Sequence, residues 1–188
     1  MNYFFYLPSG EITKTLSCHP EDLVHNTLPG SDCSEGLASL EDYRDTADGS
    51  IKPRGAPPSG NHVFNYTTKQ WEDPRTLADL KAAQWTRIKT ARTQADYAGF
   101  TWAGSTFDSD AISQNRITGA VTLAQMSADF TIDWTLKDNT TRTLDQLDML
   151  RVGGTLGAHV VTQFARAQAR RQSIEAATTR AEVEAVVW

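Results

Sequence analysis

Apolar positions in the first 74 residues follow no helical period. Residues 3–7, YFFYL, form an aromatic, β-prone run, and Pro8-Ser9-Gly10 reads as a turn. Glu11 to Ser17 then alternates around Ile12 and Leu16, so the pattern predicts an N-terminal β-hairpin. Pro20 before Glu21, Asp22, Leu23 and Val24 predicts a short helix, stopped by Pro29 and Gly30. Residues 31–62 hold few apolar side chains and many Ser, Asp, Gly and Pro, and only Ile51 to Arg54 reads as a short edge strand. Val63 to Tyr66 followed by Thr67 to Trp71 predicts another hairpin, closed by Glu72-Asp73-Pro74.

From residue 75 the period becomes helical. Thr76 with Asp79 approximates a capping box, and Leu77, Leu80, Gln84, Ile88, Ala91 and Ala95 recur at spacings of three and four up to a C-capping Gly99. Phe100 to Phe107 reads as a tight hairpin turning at Ala103-Gly104. Ser109 or Asp110 caps a helix over about 111–126, with Ile112, Ile117, Ala120, Val121 and Ala124 expected to face inward. A second hairpin sets Phe130, Ile132 and Trp134 on one face, turns at Asp138-Asn139 and returns through Thr140 to Thr143. A capping box from Thr143 to Gln146 is expected to open the longest helix, about 144–172. Another, Thr179 to Glu182, opens a short one over 180–187.

Charge sharpens the division. Residues 1–75 carry 6 Lys/Arg against 11 Asp/Glu, whereas residues 76–188 carry 12 of each, so the whole net charge of −5 lies in the first part. An acidic chain of pI about 5.3 disfavours nucleic-acid binding through a basic surface. No apolar run approaches the roughly 18–20 residues of a membrane helix. The N-terminus has neither the basic region nor the long apolar stretch of a secretory signal, so synthesis in a cytoplasm is expected. The expected fold class is α+β: a small β-rich acidic head over 1–73, then a mainly helical domain over 75–188 with hairpins near 100–107 and 130–143.

Several elements of the second part, in this order, carry a resemblance: Gly99 to Asp110 (GFTWAGSTFDSD), Ser113 to Ala120 with Arg116, Ile132 to Asn139 with Trp134 and Asp138, and Ile174 to Trp188. Together they resemble a domain of unknown function found in bacteriophage and prophage proteins, usually at the C-terminal end of tail-fibre-associated polypeptides. The resemblance covers about 75–188. The pair Gly153-Gly154 departs from its pattern, and residues 1–74 are only loosely similar to the β-rich heads of phage tail proteins. The family has no established catalytic residues, so none is carried over. The resemblance implies a non-enzymatic structural or adaptor component of a phage tail, near the fibre or baseplate, bound to other phage tail proteins and to copies of itself. The alternatives are a tail-fibre assembly chaperone absent from the virion and, from another class, a small hydrolytic enzyme.

Signature positions each have a structural explanation. Trp102, Trp134 and Trp188 are expected in the core, and Phe100 and Phe107 have a structural role in their hairpin. Asp108 and Asp110 could together hold a cation or act as acid and base, but a strand end and a helix cap explain them more simply, with Arg116 as a partner for one of them. Asp138 and Asn139 suit turn chemistry. His159, alone on its helix, reads as a surface or packing residue. Cys18, His19, His25 and Cys33 match no zinc spacing, so no metal and no cofactor are expected. Gly153 and Gly157 are expected to admit the close approach of another helix, from this chain or a second copy.

Overall fold

The computed structural model describes all residues, Met1–Trp188, and shows two compact units, Met1–Arg75 and Thr76–Trp188. The fold is α+β, with small antiparallel hairpins in the first unit and mostly helices in the second.

In the first unit, β1 (Asn2–Tyr6) is the centre of a three-stranded antiparallel sheet, between β2 (Ile12–Ser17) and β3 (Asp32–Glu35). Its central position explains its run of buried aromatics: Tyr3, Phe4 and Phe5 are all buried, and Phe5 fully so. A 3-10 turn at Pro20–Asp22 leads into α1 (Leu23–Asn26). Two further hairpins follow, β4 (Asp42–Arg44) with β5 (Ile51–Pro53) and β6 (Val63–Asn65) with β7 (Gln70–Glu72). Their faces join in an aromatic cluster in which Phe64 lies 5.1–5.5 Å, centroid to centroid, from Tyr43, Tyr66 and Trp71. Sequence periodicity does not reveal β3, whose segment DCSE does not alternate, or β4, which is only three residues long.

In the second unit, α2 (Leu77–Asp96) opens on a complete capping box between Thr76 and Asp79. The hairpin β8 (Phe100–Trp102) and β9 (Ser105–Phe107) turns at Ala103 and Gly104, both with positive φ. Asp110 caps α3 (Ala111–Met126), and the hairpin β10 (Thr131–Thr135) and β11 (Thr141–Asp145) turns with Asn139 at φ 64°. The long helix α4 (Gln146–Ala176) follows β11 with no intervening residue, and α5 (Arg180–Ala185) ends the helical part.

Three clusters of buried side chains lie along helix α4. Its first half packs on α3 and the hairpins, through Met149, Val152 and Leu156 with Phe100, Phe107, Ile117 and Leu144. Its second half packs on α2 and α5, where Ala167 and Ile174 meet Ile88, and Ala177 just beyond it meets Leu80 and Val183.

Several expectations need correction. Helix α4 begins after Asp145, whose carboxylate accepts the Asp148 N–H at 2.8 Å, and it runs on to Ala176. Thr143 does not cap it. It is a strand residue, and its hydroxyl donates to Asp133 across the hairpin at 2.6 Å. Ile112 is 63 % exposed and does not face inward, because the buried stripe of α3 runs through Ile117, Ala120 and Ala124. Helix α5 stops at Ala185, and Gly99 lies beyond the C-cap of α2, which is Tyr97.

Candidate functional site

Two of the signature aspartates are committed to their own backbone. Asp110 accepts the N–H groups of Ile112 and Ser113 at 2.9 and 3.2 Å and the Ser113 hydroxyl at 2.7 Å. That hydroxyl, then those amides, hold its carboxyl below the usual carboxylate range. Asp138 likewise accepts the Thr140 hydroxyl and N–H, at 2.6 and 3.0 Å, which lowers its pKa for the same reason. Neither carboxylate is poised to take a proton near neutrality. The expected pairing of Arg116 with Asp108 or Asp110 does not form. Arg116 is exposed on α3, and Asp110 spends its oxygens on its own helix terminus.

A serine, a histidine and an aspartate do come together, at Ser109, His159 and Asp96, residues that the sequence does not link. All three meet at one backbone atom. The fully buried Ser109 hydroxyl donates to the Asp96 carbonyl at 2.5 Å and accepts the Gly99 N–H at 2.9 Å. His159 Nε2 lies 3.0 Å from the same carbonyl, and Gln114 Nε2 donates to the Ser109 carbonyl at 2.8 Å. The serine proton is aimed at a carbonyl and not at the imidazole, so this is a clasp joining the end of α2 to α3 and α4. Gly99 enters it at φ 95°, where a Cβ would lie 2.8 Å from the Phe107 carbonyl.

Four signature residues, Asp108, Arg116, Trp134 and Asn139, lie around a cleft of about 560 Å³ between α3 and β10. Helix α3 supplies one wall with Ser113, Arg116, Gly119 and Leu123, and Ala120 lies deeper. The other wall is the run Ile132 to Leu136, consecutive residues of β10 and the one that follows it. Consecutive lining residues mean that the edge of the strand, and not only one of its faces, borders the cleft. Asp108 and Asn139 complete the lining. Sequence reasoning names Asp108, Arg116, Trp134 and Asn139 but does not bring them together. Gly119 it carries only as part of the Ser113 to Ala120 element, with no role, and Leu123 it misses.

The aromatic signature residues are structural to different degrees. Phe100 and Phe107 are buried and stacked at 5.4 Å, whereas Trp102, Trp134 and Trp188 are half-buried at core margins. The guanidinium of Arg142 lies 4.8 Å over Trp102, and that of Arg166 4.5 Å over Trp188. The two glycines differ. A Cβ on Gly153 would lie 2.5 Å from Val121 Cγ2 of α3, whereas one on Gly157 would meet nothing within 4 Å. The expected close approach at Gly157 is therefore corrected for contacts within this chain. Four residues advance the helix about 6 Å and turn it about 40°, which carries Gly157 past the α3 crossing.

Cys18 and Cys33 are free, half-buried thiols, and no three or more His, Cys, Asp and Glu side chains gather where they could hold a metal ion. No helix is long and apolar enough to cross a membrane. No curated protein and no solved structure matches the chain. The domain of unknown function DUF4376 matches residues 79–187, which spans α2 to the last residues of the second unit and every residue of the cleft. The chain therefore belongs to the DUF4376 family.

Proposed function

We propose that the protein is a non-enzymatic structural or adaptor component of a bacteriophage tail, associated with the fibre or baseplate and made in the bacterial cytoplasm. The observation that carries the reading is the cleft. Four signature residues of the matched domain, Asp108, Arg116, Trp134 and Asn139, line an open, apolar-floored groove suited to holding another polypeptide. The nearest thing to a reactive cluster, at Ser109 and His159, is tied to a backbone carbonyl. Its partners in this reading are other tail proteins and further copies of itself. Mass spectrometry of purified particles tests it: the protein is expected in fixed stoichiometry with known tail components. Presence in infected cells but absence from particles would replace the virion role with that of an assembly chaperone.

A further inference from the structure

Strand β10 pairs only with β11, and its other edge lies along the cleft. Hydrogen-bond parity shows what that edge presents. Leu136 donates its N–H to the Thr140 carbonyl at 2.8 Å, and its own carbonyl accepts from Asn139 at 2.9 Å. Leu136 thus faces β11, and antiparallel alternation turns Trp134 and Ile132 the same way. Thr131, Asp133 and Thr135 intervene, so their N–H and C=O groups point away from β11. The Thr143 to Asp133 side-chain bond agrees, since residues opposite one another without mutual backbone bonds have the closer side chains. Beyond β11, no backbone group of the chain bonds these three residues. Two positions on from Thr135, Lys137 does find one, donating its N–H to the Thr106 carbonyl of β9 at 3.0 Å. The edge is therefore capped at one end and open along the rest.

Across the cleft, Arg116, Gly119 and Leu123 share one face of α3, at spacings of three and four. Nothing in the chain explains the glycine: a Cβ at 119 would stand in open space, and a helical glycine is less favourable than alanine. A backbone passing close to the helix would explain it.

We infer that the cleft receives an extended segment of a partner polypeptide, which adds to the free edge of β10 as a further strand and lies against Gly119 of α3. The inference rests on the adaptor reading and names the chemistry of the partner. Paired donors and acceptors repeating at every second residue match an extended peptide backbone. Side chains of the segment that point to the floor meet Ala120, Leu123 and Leu136, so alternate residues are apolar. Arg116 forms no ion pair within the chain and borders the path, so the segment carries a carboxylate there. A second copy fits less well. Pairing β10 with itself about a two-fold centred on its open edge sets Asp133 against Asp133, like charges face to face.

The test is selection of random dodecapeptides against the full-length chain. Enriched peptides are expected to alternate apolar residues and to carry Asp or Glu, and their binding to shift the amide resonances of Thr131, Asp133 and Thr135 more than those of Ile132 and Trp134. Asp133→Pro removes an outward N–H and spares the backbone bonds to β11, though it takes away the carboxylate that accepts from the Thr143 hydroxyl, and Gly119→Leu fills the groove. Each is expected to weaken binding at least about tenfold, the order of losing one buried hydrogen bond or one contact face. Arg116→Gln is expected to weaken acid-bearing peptides and Arg116→Lys to restore part of the loss. If Asp133→Pro melts early, the amide shifts in the parent decide. No enrichment, peptides without alternation, or binding that survives both Asp133→Pro and Gly119→Leu would overturn the inference. Self-association that protects the same amides and disappears in Gly119→Leu would also overturn it, in favour of a second copy. Failure here with the parent protein present in particles removes the groove and leaves the adaptor. Absence from particles removes the adaptor and leaves the peptide result standing.

Discussion

Gly153 and Gly157 sit one turn apart on α4, yet the same substitution has a different effect at each. At Gly157 an added methyl meets open space, so Gly157→Ala is expected to stabilise the protein by about 1 kcal/mol through helix propensity, and Gly157→Leu to be tolerated in the isolated chain. At Gly153 the methyl collides with the stiff Val121, which offsets that gain. Gly153→Leu is expected to cost about 1–3 kcal/mol by overpacking. Paired thermal melts check both, and equal responses would dismiss the α3 contact as the reason for Gly153. The carboxylates make a second prediction. Asp45, Asp48, Asp110 and Asp138, with Glu72 and Glu182, all have pKa values lowered in the fold, each chiefly by hydrogen bonds to the charged form. The unfolded chain therefore binds more protons than the folded one in acid, and stability rises with pH there. The contribution is complete above the ordinary carboxylate values of about 4 and is lost as pH falls through the lowered folded values. The melting temperature should fall on that acid limb, and Asp110→Asn should flatten part of it. An acid limb unchanged by that substitution would remove Asp110 from the account.

Among the elements, α4 shows where a sequence pattern misleads. Both Thr143 and Asp145 have the right chemistry for a cap, and only the strand pairing of Thr143 with Asp133 settles which one acts. Asp145→Ala is accordingly expected to cost about 1 kcal/mol and Thr143→Ala less, by chemical denaturation; the reverse order would restore the threonine as cap. Helices with strong local signals were legible from the chain alone: the boxes at Thr76 and Thr179 form as their spacing predicts, and so does the Asn139 turn. What stayed hidden depends on partners distant in sequence. Strand β3 exists because β1 offers it an edge, and DCSE shows no alternation of its own. Ile112 has the right residue type for an inward position but lies off the buried stripe. The cleft was half legible. Its residues could be named, but their meeting depends on how β10 comes to lie beside α3, which no local period encodes.

For the molecule as a whole, the second unit holds a continuous set of cores strung along α4, and this makes it a candidate for independent folding. A fragment of residues 76–188 is expected to unfold in one cooperative transition followed by circular dichroism. Helical signal without a cooperative melt would show that it needs the first unit. The first unit rests on a small core of Phe5, Ile12 and a few aromatics, which is modest for its length.

The direct passage from β11 into α4 constrains how related chains can vary in length. Asp145 ends a strand in register with β10 and caps the helix that follows. One residue gained or lost there would either flip the strand's faces or swing the start of the helix by about 100°. Lineages carrying this fold should keep that junction at constant length and place their insertions and deletions in turns such as Asp138-Asn139 or Ala103-Gly104, where added residues leave both frames intact.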